Sequence, residues 1–208
     1  MTCRQTPSHG ERLIRDAPTL RALANPIRYA LYELLATSGP MTATDASAIV
    51  GQSPTTCSFH LRQLARYGLV EDVDCDHGRS RPWRVRHVGL RVLPGDHDAG
   101  LAATALAGVM RQRVLERLVE WDEAKSAWPE AWRQSADETD YLLYVTIDEL
   151  AELKGRLHDL LAPYLERLAD PARRPPGASA VEAVTILHPV GQPPSEGPTR
   201  TQSTERRT

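Results

Sequence analysis

At 208 residues the chain is long enough for one generous domain or two small ones, and an apolar content of 41% suffices for a real core. No apolar run approaches the ~20 residues that cross a bilayer, and the N-terminal MTCRQTPSHGERLIRD has no hydrophobic segment with a small-residue cleavage site, which excludes a membrane span and points to a cytoplasmic protein. The formal charge of −2 hides an asymmetry: residues 1–97 hold 12 Arg against 9 Asp and Glu, whereas residues 98–208 hold 13 Lys and Arg against 18 Asp and Glu. The basic half is the place to look for an anionic partner, although the predominance of arginine over lysine in the chain also fits a coding bias. Three cysteines, Cys3, Cys57 and Cys75, are too few and too scattered for a disulfide framework.

Residues 1–18 are expected to be a flexible N-terminus. Helix signals begin at Thr19 and sharpen at Asn25-Pro26, where Asn is a good N-cap and Pro occupies the first turn without wasting a donor. Ile27, Ala30, Leu31, Leu34 and Leu35 then recur at helical spacing, and Gly39-Pro40 ends the helix. Thr42 with Asp45 makes a capping box for a second helix, whose buried face is assigned to Ala46, Ile49 and Val50 and which Gly51 stops. Ser53-Pro54 opens a third, closed by Tyr67-Gly68, and only about three residues separate it from the second, as in a helix-turn-helix. The runs LVEDV and RPWRVRHV suit two strands joined by DCDHGRS, a hairpin with arginines near its tip. Helix, helix-turn-helix and basic hairpin in that order describe a winged helix over residues 19–92.

LPGDHD, residues 93–98, reads as a hinge. A long helix over 98–125 follows, with Leu101, Ala105, Val109, Leu115, Leu118 and Val119 on one face for pairing with its twin. YLLYV at 141–145 is a strand candidate, Thr146 and Glu149 cap a helix that Pro163 kinks or stops, and VEAVTILHPV at 181–190 is another strand. Residues 126–190 would thus form a small strand-helix-strand module serving dimerisation or sensing, and 191–208 a disordered tail. The fold class is α+β.

On a helix from Pro54, Cys57, Leu61 and Leu64 face inward, leaving Thr55, Ser58, Phe59, Arg62 and Arg66 on the opposite side. A phenyl ring is costly to leave in water, and this mixture of hydroxyls, ring and guanidinium suits the major groove of DNA. Ser53, Thr55 and Thr56 at the helix start add hydroxyls and free N–H groups for a phosphate. Arg79, Arg81 and Arg84 on the hairpin can neutralise phosphates or enter a minor groove, with Trp83 anchoring the hairpin to the core. The plainer readings are a solvated helix face and a charged edge strand kept from aggregating. The wing's place directly after a helix-turn-helix favours DNA.

The runs LRALANPIRYALYELL, SPTTCSFHLRQLARYGLVE and GRSRPWRV resemble the arsenic-repressor-like (ArsR-type) winged helix-turn-helix regulators over about residues 19–92. The resemblance implies a homodimer bound to a palindromic double-stranded operator, a recognition helix starting at Ser53, a wing around Gly78 to Arg81, and repression relieved by a ligand. Metal-sensing members carry Cys-x-Cys on the helix before the turn. This chain has TATDASA there, so that site is absent and no metal or cofactor is expected. Asp96-His97-Asp98 lacks the spaced partner of the family's other metal site, and Cys75-Asp76-His77 is read as an ordinary polar turn.

No catalytic motif is present, so an enzyme is not expected. Trp121, Trp128, Trp132, Tyr141 and Tyr144 are read either as core or as the lining of an apolar pocket for a small-molecule effector. Three functions stand: a dimeric ligand-responsive repressor, a DNA-binding regulator without a small-molecule effector, and a winged helix turned into a protein-interaction module.

Overall fold

The computed structural model describes residues 8–73, 81–93 and 95–192; the hairpin turn with Cys75, His77, Gly78 and Arg79, and the tail from 193, lie outside the described residues. Capping side chains set out the first half. Asp16 accepts from Thr19 N at 2.8 Å and opens α1 (Ala17–Leu23). Asn25 accepts from Arg28 N at 3.1 Å and opens α2 (Pro26–Ser38). Thr42 and Asp45 close a reciprocal capping box on α3 (Ala43–Val50), and Ser53 accepts from Thr56 N at 3.0 Å to open α4 (Pro54–Arg66). Each satisfies backbone donors that a helix start would otherwise leave orphaned. Gly51, at φ 69°, takes the left-handed conformation that turns the chain from α3 into α4.

Leu20 and Leu23 of α1, Leu31 and Leu35 of α2, Ala46 of α3, and Cys57, Leu61 and Leu64 of α4 form the core together with Ile14, Leu69, Val70 and Val85. Ile27 and Leu34 pack against it half-buried. Ile49, expected in the buried face of α3, is 63% exposed; Ser47 takes the inward place, its hydroxyl donating to Thr44 O at 2.7 Å.

The hairpin is present as β2 (Val70–Asp72) antiparallel to β3 (Trp83–Val85), in the register Val70–Val85, Glu71–Arg84 and Asp72–Trp83. Trp83 also exchanges backbone hydrogen bonds of 2.8 and 3.0 Å with Met41, which ties the hairpin root to the start of α3. RPWRVRHV is not one strand. It bends at Arg86 and continues as β4 (His87–Val92), which pairs in parallel with β1 (Ser8–Ile14). The N-terminus expected to be flexible up to residue 18 is therefore ordered from Ser8, because β4 offers it an edge and Ile14 buries its side chain. Nothing local in SHGERLI marks a strand.

The expected hinge at 93–98 is packed at its described residues, Leu93 and 95–98. Leu93 N donates to Ile14 O at 2.9 Å, and Asp96 caps α5 (His97–Ala124) through Ala99 N at 2.8 Å. A Cβ on Gly95 would meet both Arg15 O and Ala99 Cβ at 2.6 Å. Ala99, Ala102 and Leu106 of α5 are buried against α1, so the core extends past residue 92 to Leu106. The stripe expected to be apolar and shared is the other one: Leu101, Leu115, Leu118 and Val119 are exposed.

Beyond Leu106 the described residues contain none that is buried. A short helix, α6 (Glu130–Ser135), and then α7 (Ile147–Ala169) follow, the latter opened by the Thr146–Glu149 capping box and running through Pro163 without stopping. The strand-helix-strand module does not form within the chain. Residues 141–145 and 181–190 carry no strand, because strand-forming composition supplies side chains but pairing also needs a neighbouring edge, and neither segment meets one. No helix among the described residues is long and apolar enough to cross a membrane.

Candidate nucleic-acid interface

The two sides of α4 differ as sharply as the side-chain spacing predicts. Cys57, Leu61 and Leu64 are wholly buried, while Thr55, Arg62 and Arg66 are exposed, Ser58 is half-buried and Phe59 stands 51% exposed. Phe59 meets the His60 ring edge-on, with centroids 5.2 Å apart, so the neighbouring ring props it on the surface without covering it. Arg62 Nε donates to Ser58 O at 3.2 Å, which lays the guanidinium along its own helix. Ser53 Oγ and Thr56 Oγ1 lie 2.8 Å apart at the helix start, both engaged in the cap and still at the surface or its margin.

Residues 23–73 match the family model of a helix-turn-helix domain. The matched span runs from the end of α1 through α2, α3 and α4 to β2 and includes the whole exposed face just described. Among solved structures, the chain is similar to the solution structure of the homodimeric winged helix-turn-helix DNA-binding domain of a possible ArsR-family transcriptional regulator from Mycobacterium bovis. The identity is 24%, with 46% of this chain and 78% of that one covered and a TM-score of 0.31. No curated protein matches the chain.

The wing arginines part company. Arg81 is exposed and pairs with Asp72 at 3.0 Å across the hairpin root. Arg84 is not a surface arginine: only 7% exposed, it donates from Nε at 2.9 Å and Nη2 at 2.5 Å to Glu71 Oε1, the residue opposite it in the β2–β3 register. Arg84 lies inside β3 between Trp83 and Val85, and its burial there requires the counter-ion that Glu71 supplies. Glu71 also accepts from Arg86 Nε at 3.1 Å, so one carboxylate gathers two guanidinium groups at the hairpin root. Neither the role of Glu71 nor the placement of Arg86 could be read from the sequence, since the cross-strand register depends on a turn whose length does not fix it. Arg79 lies outside the described residues.

The aromatic cluster of the second half is only partly assembled. Trp121, Trp128 and Trp132 stack edge to face in series, with centroids 6.0 and 5.8 Å apart, but Tyr141 and Tyr144 stand in water and line nothing with them. An open cleft of about 530 Å³ occurs elsewhere, between α2, the end of α3 and α5. Ile27, Ala30, Val50 and Val109 give it an apolar wall, and Tyr29, Gln112, Arg113 and Glu116 a polar one. At its edge Glu33 accepts from Arg113 Nε at 3.3 Å and Arg117 Nη1 at 3.0 Å. Burial, and then the nearby Glu33 carboxylate, push the Tyr29 hydroxyl up to about 12, so it remains a donor at any physiological pH.

Behind the exposed face, Cys57 is sealed in the core and burial pushes its thiol above the ordinary range, which blunts it as an oxidant sensor. His60 Nδ1 is buried with no hydrogen-bond partner among the described residues. Burial, then the charge of Arg28, holds the His60 ring below the usual histidine range, and burial does the same to His87. The unfolded chain takes up these protons near pH ~6.5 while the native chain resists them, so their stabilising effect is present above that pH and lost as pH falls. Thermal unfolding is accordingly expected at a lower temperature at about pH 5.5 than at about pH 7.5. The loss should be smaller in a His60→Gln chain, with His87 accounting for part of the remainder; an unchanged loss would mean that His60 is not a source.

Proposed function

We propose that the chain is a sequence-specific DNA-binding transcriptional regulator of the arsenic-repressor-like kind, acting as a two-fold dimer on a palindromic operator. The observation that carries this reading is the half-exposed Phe59, set among Thr55, Ser58, Arg62 and Arg66 on one side of α4 while the opposite side is wholly buried. An aromatic ring is left in water at a cost, and a thymine methyl or base edge is a surface it fits. Ser58, Phe59 and Arg62 read bases; Ser53, Thr55, Thr56 and Arg81 hold the backbone, and Arg66 extends the basic face. Two recognition helices double the base pairs read, which is the geometric reason for a dimer. Repression relieved by a small molecule is the regulatory part of the reading. The cleft between α2, α3 and α5 supports it, because an occupant there bears on the helix-turn-helix and on the long helix together.

Binding to duplex DNA should weaken with salt, with a log-log slope of about −0.9 for each phosphate neutralised. Arg81→Ala should weaken binding to all sequences alike and make that slope shallower by about one contact. A chain that ignores duplex DNA at low salt but captures acidic proteins would replace this reading with that of a protein-interaction module.

A further inference from the structure

Residues 141–145 and 181–190 carry apolar side chains along most of their length, and these are exposed. Tyr141 is 74% exposed, Leu142 79%, Val181 74% and Ile186 60%, and Leu143, Tyr144, Val184 and Val190 are exposed as well. Their main chains are equally bare: no backbone N–H or C=O of either segment has a backbone partner among the described residues. Apolar side chains together with unpaired peptide groups are what a β-strand has before it meets its neighbour. The two stretches also differ in kind. The first, YLLYV, is apolar at every position, as in a strand covered on both faces; in the second, VEAVTILHPV, Glu182 and His188 interrupt the apolar residues.

We propose that residues 141–145 of one copy pair as a β-strand with residues 181–190 of a second copy of this chain. The inference rests on the two-fold dimer of the preceding reading. Within one copy the two segments do not pair. Glu182 is held instead by an ion pair with Arg117, on the turn of α5 that carries the exposed Leu115, Leu118 and Val119. The second segment is thereby continuous with the α5 face left open for the twin helix. Side chains of this size and exposure present on the order of 1,000 Å² per copy, so two copies supply the burial of a stable dimer interface. Each copy holds both members of the pair, and a two-fold axis makes the pairing twice and closes it.

Amide hydrogen exchange of the full chain at two concentrations, beside light scattering, tests the proposal. Amides of both segments should exchange at least about a hundredfold more slowly in the dimer than in the diluted monomer. Leu143→Asp should yield a monomer unprotected in both segments while amides of α2 and α4 stay protected, which shows that the helix-turn-helix still folds. Protection that persists on dilution would mean pairing within one chain, and a dimer without protection would mean another interface; each overturns the proposal, as does a chain monomeric throughout. Loss confined to 141–145 in Leu143→Asp overturns the pairing of unlike segments. A protected dimer that binds no duplex overturns only the DNA reading, whereas duplex binding by a chain with bare segments overturns only this one.

Discussion

Arg62→Ala is expected to weaken operator binding roughly 5- to 140-fold, the equivalent of about 1–3 kcal/mol, and to relax the sequence preference at the base it reads. Position decides this. Arg62 lies on the open side of α4, one turn after Ser58, and its Nε donates to the Ser58 carbonyl on its own helix. That bond is exposed and contributes little to folding, so its loss leaves the domain intact. The change should therefore appear in binding and not in the unfolding temperature. Competition between the selected operator and a scrambled duplex checks it. Equal loss on both would make Arg62 a phosphate contact and would return base readout to Ser58 and Phe59.

Leu61→Ala, one residue earlier, should have the opposite profile. Leu61 is wholly buried in the cluster where α4 meets α2 and the wing strands. Truncation removes its transfer energy and leaves a cavity, at a cost of about 2–5 kcal/mol, a large share of the ~5–15 kcal/mol that holds a domain together. The unfolding temperature should fall by about 10 °C or more, and operator affinity should drop only where the unfolded fraction becomes appreciable. Differential scanning calorimetry of the two variants side by side separates the roles. A Leu61→Ala chain as stable as the parent would mean that α4 does not pack as described, and the assignment of its exposed face would fall with it.

The helix-turn-helix could be read from the chain because its determinants are local. Asn25, Thr42 and Ser53 cap the helices that follow them, Gly51 and Gly68 adopt positive φ at the helix ends, and the spacing of Cys57, Leu61 and Leu64 fixes which side of α4 is buried. Each signal needs only the few residues around it. The largest failures involve partners distant in sequence. Arg84 resembles Arg81 in sequence, and only the register opposite Glu71 turns it into a buried ion pair.

By itself, then, the sequence determined α2 to α5 and α7, their order and the outward face of α4, since caps and a 3.6-residue period are written within a single turn of chain. Tertiary structure alone decided that β1 exists, that Ala99, Ala102 and Leu106 rather than Leu101 enter the core, that Gly95 packs tightly against Arg15 and Ala99, and that residues 141–145 and 181–190 find no strand partner among the described residues. A strand or a packing face has no meaning until another element lies against it, and which element arrives is settled by the whole core, not by the residues that receive it.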